Sequence, residues 1–137
     1  MKLPNVLAEL RDLNEPVPKP LRLPTEAEVY LAEQRLGLKF PADYRQYLLQ
    51  ASDVVYGTLE PAIVTPDAGH LDLVGMTETA WAEMDVPRDW LPFCEDNGDY
   101  YCLTPEGAVK YWSHDGATDE TWDDLATWIK EVWIEEG

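Results

Sequence analysis

The dipeptide Asn97-Gly98 constrains this chain more than any other pair of residues. A two-residue type I′ turn needs positive φ at both central positions, which Asn tolerates and Gly adopts freely. Set between aromatic and apolar runs, the pair predicts a tight antiparallel hairpin. Residues 90–94, 99–103 and 108–112 read as three short strands, and Thr104-Pro105-Glu106-Gly107 places Pro and Gly where a type I turn favours them. The result is a meander. In that register Cys94 faces Tyr101 and Phe93 faces Cys102, so the two thiols sit on neighbouring rungs and no disulfide is expected. Adjacent strand residues point to opposite faces, so one member of Tyr100-Tyr101 and one of Tyr111-Trp112 should enter the core. The other members either stay exposed beside the carboxylates or lie under helices that cover both faces.

Helical periods flank this region. Val6, Leu10 and Leu13 suggest a first amphipathic helix, after which residues 14–20, NEPVPKP, predict an extended connector that leaves the arm free to move. Thr25 with Glu28 forms a capping-box pattern, Val29, Ala32 and Leu36 follow at helical spacing, and Gly37 supplies a left-handed stop. Pro41 opens a further helix that aligns Tyr44, Tyr47, Leu48 and Ala51. The β-branched stretch 54–64 predicts one or two strands broken at Gly57 and Pro61, and residues 70–75 another. Residues 76–87 read as a short helix begun by a Thr cap. A last helix follows a cap at Thr121 and lines up Trp122, Leu125, Ala126, Ile129 and Trp133. The elements do not alternate as in a doubly wound fold. The expected class is α+β: residues 1–22 form a helix and Pro-rich connector, and residues 23–137 a body with a largely antiparallel sheet packed by helices at both ends.

Charge narrows the function. Of the net −17, residues 77–137 carry 16 acids against 3 bases. Such a field repels nucleic-acid backbones and anionic membranes and steers basic partners inward. The N-terminus lacks the apolar core of a signal peptide, and no run approaches the ~18 apolar residues of a membrane span, so the chain is read as cytoplasmic.

Candidate chemistry is sparse. Glu95, Asp96, Asn97 and Asp99 suggest a calcium loop, but counting back from Gly98 puts Phe93 at the first ligand position and the motif fails. Cys94 or Cys102 could meet His70 or His114 as a nucleophilic pair, although strand-embedded thiols are more often packing residues. Adjacent carboxylates such as Asp123-Asp124 are expected by chance among 27 acids. There is no P-loop, dinucleotide-type glycine motif, HExxH or GxSxG, and no cofactor or metal is implied. What remains is a protein-binding surface around Glu95, Asp96, Asp99, Tyr100, Trp112 and Asp115, where aromatics would anchor and charge would set on-rate.

In order along the chain, Leu36-Gly37, Phe40-Pro41-Ala42-Asp43-Tyr44, Tyr47-Leu48, Leu91-Pro92-Phe93, Gly98-Asp99-Tyr100-Tyr101, Gly107-Ala108-Val109, His114-Asp115 and the Trp/Leu-patterned last helix resemble the SUKH superfamily over residues 23–133. At Ala51-Ser52-Asp53 the chain departs from the Asn-Gly-Gly-like turn common in that superfamily, which leaves the path into the next segment open. The resemblance implies an α+β protein-binding domain without catalysis. It further implies either a bacterial immunity protein, neutralising a basic, nucleic-acid-targeting toxin as a monomer or weak dimer, or a scaffold related to fungal cell-wall regulators. A small thiol hydrolase is the remaining reading from another class.

Overall fold

The computed structural model describes residues 1–136. Three helices lead: α1 (Leu3–Asp12), α2 (Glu26–Leu36) and α3 (Ala42–Ala51). A loop carrying a short 3-10 turn at Gly69–Leu71 leads to α4 (Leu73–Met84). Strands β1 (Leu91–Asp96), β2 (Asp99–Leu103), β3 (Val109–Ser113) and β4 (Gly116–Trp122) then form one antiparallel sheet in sequential order, and α5 (Leu125–Trp128) continues into a π-helical stretch at Ile129–Ile134. The α+β architecture read from the sequence is the observed one.

Local chemistry explains most boundaries. Thr25 accepts a hydrogen bond from Glu28 N–H while the Glu28 carboxylate accepts from Thr25 N–H, and Gly37 ends α2 at φ 68°. At the hairpin tip Asn97 and Gly98 have φ of 52° and 91°, as a type I′ turn requires. Gly107 N–H donates to the Thr104 carbonyl and closes the second turn. α1 lays Leu3, Val6, Leu7 and Leu10 into the same core as the rest of the chain. A bidentate Arg11–Asp53 pair and the bond from Glu15 N–H to the Val55 carbonyl fasten the start of the connector.

The region between α3 and α4 departs from expectation. Residues 54–64 form no strand, only an isolated parallel bridge between Ile63 and Asp72. Gly57 and Pro61 interrupt the run, and its donors are used elsewhere: Ala62 N–H reaches the Phe93 carbonyl, and Ile63 N–H that of Leu71. Residues 70–75 are the 3-10 turn and the first turn of α4, whose cap is Asp72 accepting from Gly75 N–H. Thr77 is therefore no cap; it is buried inside α4 and donates its hydroxyl to the Pro92 carbonyl.

The sheet differs in two ways. The chain from Gly116 to Trp122 is a fourth strand, so Trp122 lies in β4 and the C-terminal helix is capped by Asp124, not Thr121. Asp124 accepts from both the N–H and the hydroxyl of Thr127. A β-bulge between Pro92 and Cys94 leaves Phe93 without a cross-strand partner, so Cys94 faces Tyr101 as expected but Cys102 faces Pro92. The carbonyl that this bulge frees is the one Ala62 binds, which closes the outer edge of β1.

Helices cover both faces of the sheet. On one, Phe93 and Tyr101 meet Trp128 at centroid distances of 4.8 and 5.2 Å, and Tyr44 joins Phe93 at 5.9 Å. On the other, Trp112 stacks edge-on against Trp90 and donates its indole N–H to the Met84 carbonyl at the end of α4.

Between α2 and α3 the buried Glu33 carboxylate receives Phe40 N–H at 2.7 Å and the Arg45 guanidinium. Removing it strands a buried donor and a half-buried cation. Glu33→Ala is expected to lower unfolding free energy by about 2–4 kcal/mol, and Glu33→Gln, which keeps an acceptor, by less. Urea denaturation of both variants checks the order.

Candidate partner-binding surface

The β1–β2 hairpin carries the acidic run out to its tip, where Asp96 and Asp99 form the pair flanking the turn. On one face the Tyr111 hydroxyl lies 3.2 Å from Asp96 Oδ2 and 3.1 Å from Asp99 Oδ2, within reach of either. The β3–β4 turn folds against the same point: His114 N–H donates to Asp99 Oδ1 at 2.9 Å, and the His114 ring lies between Asp99 and Asp115 at 3.3 and 3.5 Å. Desolvation opposes ionisation of Asp99, but the bonds from His114 and Tyr111 outweigh it and hold its carboxyl below the usual aspartate range. Burial, then the charge of Asp96 and the bond to Asp99, push the Tyr111 phenol well up. Hydrogen bonds from Tyr111 and from the His114 backbone thus position carboxylates at the tip.

On the opposite face of the hairpin, exposed Glu95 pairs across with Tyr100. Glu95 and Asp96 line an open groove of about 270 Å³ with Glu60, His70 and Met76. Among the described residues no Lys or Arg forms an ion pair with Glu60, Glu95 or Asp96. Glu60 and His70 arrive on the irregular 54–72 loop, so no periodicity in the sequence could have placed them beside the hairpin.

The structure therefore gathers Glu95, Asp96, Asp99 and Asp115 around one end of the sheet, with Asp115 open at 86% side-chain exposure. Tyr100 and Trp112 do not project from it. Tyr100 is buried and Trp112 half-buried under the end of α4, while the Tyr101 and Tyr111 rings pack at a tilt and Tyr101 also meets Trp128 of the C-terminal helix. Of the two alternatives for the aromatic pairs, covered faces are the one observed.

Both cysteines are free thiols fully buried in the core. Burial pushes both thiols far above their ordinary value, and at Cys94 the charges of Asp96, Glu95 and Glu60 add to it. Among the described residues no group of three or more His, Cys, Asp or Glu side chains is arranged to hold a metal, and no helix is long and apolar enough to cross a membrane.

With this geometry in place, comparison with known proteins is informative. The family model described as SMI1-KNR4 cell-wall, SUKH_5, matches residues 3–134. The chain belongs to the SUKH family. The match begins at Leu3, the first residue of α1. A solved structure titled as a protein from Pseudomonas syringae pv. tomato is 42% identical, superposes with a TM-score of 0.91, and aligns over 96% of this chain and 98% of its own. No curated protein matches. The family includes immunity proteins and regulators and is generally non-catalytic.

Two outcomes follow from the site. Because Asp99 has a depressed folded pKa, its stabilising contribution is complete above the ordinary aspartate value and is lost as pH falls through the lowered one. The stability gap between the parent and Asp99→Asn should be full at neutral pH and shrink below about pH 4, read from thermal melts. Ellman's reagent at neutral pH should leave both thiols unmodified until the chain is denatured; rapid modification of either would show an accessible thiolate.

Proposed function

We propose that this SUKH domain is a non-catalytic, cytoplasmic protein-binding module, and that it acts as an immunity protein occupying the cleft of a basic, nucleic-acid-targeting toxin. The observation that carries the reading is the hairpin end. Glu60, Glu95 and Asp96 face solvent-accessible space without a cationic partner, and Asp99 is fixed as an anion by His114 and Tyr111. Nucleic-acid-cleaving or modifying domains need positive clefts for their substrate, and a rigid anionic tip on a chain of net −17 is steered into the same field. Preformed carboxylates lose little conformational freedom on binding, which favours affinity as well as rate.

Family membership supports the class of function; the toxin and its basic character are the proposal. The description SMI1-KNR4 cell-wall favours a second reading, a scaffold of envelope synthesis that protects against no toxin. The two separate in a pull-down from the source cell at low and high salt, with bound proteins identified by mass spectrometry. A single basic toxin-like domain, retained less as salt rises, supports immunity, and envelope-synthesis proteins support the scaffold.

With the captured toxin in hand, Glu60→Lys/Glu95→Lys is expected to slow association roughly tenfold and flatten its dependence on ionic strength. Both positions are exposed, so the melting temperature should move little. An unchanged on-rate would remove the hairpin end from the contact.

A further inference from the structure

One helix in this acidic molecule is patterned differently from the rest. The exposed residues of α2 are Glu26, Ala27, Tyr30, Leu31, Gln34 and Arg35, which form one continuous stripe at spacings of one and three along the helix. Tyr30 and Leu31 are 56% and 58% exposed, and besides Met1 and Leu23 they are the large apolar side chains left open among the described residues. The inner face of α2 packs on α3 and α4. The stripe is flanked by open grooves, one of about 510 Å³ beside Tyr30 and Gln34 and one of about 220 Å³ beside Leu31 and Arg35.

The order of residue types along the stripe names its occupant. Reversed about the point between Tyr30 and Leu31, the stripe maps onto itself: Glu26 meets Arg35, Ala27 meets Gln34, and Tyr30 meets Leu31. A two-fold axis through that point therefore sets an apolar pair at the centre, a small residue against a larger one beside it, and an opposite-charge pair at each end. Neither Glu26 nor Arg35 has an ion-pair partner within the chain among the described residues, and antiparallel helices also oppose their dipoles favourably. We infer that α2 is the interface of a two-fold homodimer, with a second copy of this chain lying antiparallel across Tyr30 and Leu31. A helix of 11 residues is about 16 Å long and offers a small contact, so the dimer is weak and reversible.

Each copy brings a net charge of −17, and long-range repulsion between copies is screened by salt while the apolar centre is not. The dimer consequently tightens as salt rises, the opposite of what the acidic hairpin does with a basic partner.

Sedimentation velocity on the full chain, over a range of concentrations at low and high salt, tests this. The expected result is a monomer–dimer equilibrium favoured by salt. Leu31→Asp should weaken it at least tenfold, Arg35→Glu alone should weaken it several-fold, and Glu26→Arg/Arg35→Glu should recover the parent value, a rescue that only the reversed pairing produces. Circular dichroism of these exposed-site variants should match the parent. A chain that stays monomeric throughout, a dimer that survives Leu31→Asp, or a double variant no better than Arg35→Glu would each overturn the inference, and none of these results bears on whether the hairpin binds a toxin.

Discussion

The contact on which the rest of the structure depends is the edge-to-face packing of Phe93 on Trp128. Phe93 stands on the bulge of β1, Trp128 on the C-terminal helix, and around them Tyr44 and Tyr101 bring α3 and β2 to the same point. Trp133 extends the seam to Tyr47 and donates its indole N–H to the Tyr56 carbonyl. Each such aromatic pair adds roughly 0.5–1.5 kcal/mol beyond the area it buries, so the seam binds the first third of the chain to its last helix. It carries a cost: the Tyr44 hydroxyl and the Trp128 indole N–H are buried without partners. Unpaired groups of that kind are tolerated where the packing around them is dense enough to outweigh them.

That seam joins β1 and β2 to α3 and the C-terminal helix, while the hairpin tip at Asn97-Gly98 is exposed. Carboxylates there are held by hydrogen bonds from Tyr111 and His114 and not by salt bridges to Lys or Arg, which preserves their charge for an external partner. Elsewhere four basic residues are paired within the chain: Arg11 on Asp53, Arg22 on Glu28, Arg45 on Glu33 and Lys130 on Glu9. The Arg22 contact and the cap at Thr25 together bring the Glu28 carboxyl down to about 2.

Features whose chemistry is local were legible in the sequence. The Thr25–Glu28 box, the Gly37 stop, the Asn97-Gly98 turn and the Thr104–Gly107 turn each follow from what a few adjacent residues do to φ or to orphan N–H groups. Features decided by distant partners were not. The 54–75 segment has strand-like composition, yet its donors are claimed by Phe93 and Leu71, so it runs as a loop along the edge of β1. The bulge at Phe93 shifts one rung of pairing because Phe93 is drawn into the aromatic seam. Trp122 fits a helical period with Leu125 and Ile129, but its ring packs on Tyr101 from β4. The acidic surface was legible as composition; that Glu60 joins it and that Tyr100 and Trp112 leave it depended on tertiary packing.

The same division explains how one small domain can carry two surfaces with opposite responses to salt. A chain of net −17 resists self-association everywhere except where apolar side chains are exposed and its sparse cations stand opposite its own anions. α2 meets that condition because its inner face packs on α3 and α4 and its outer stripe is exposed. The hairpin end fails it: two such tips brought together would set like charges against each other with no apolar centre to compensate. If copies meet at α2 as inferred, engagement of a basic partner at a tip would lower the net charge that opposes dimerisation. The proposed partner binding and the inferred dimerisation would then be coupled with a positive sign through charge alone, without any change of fold.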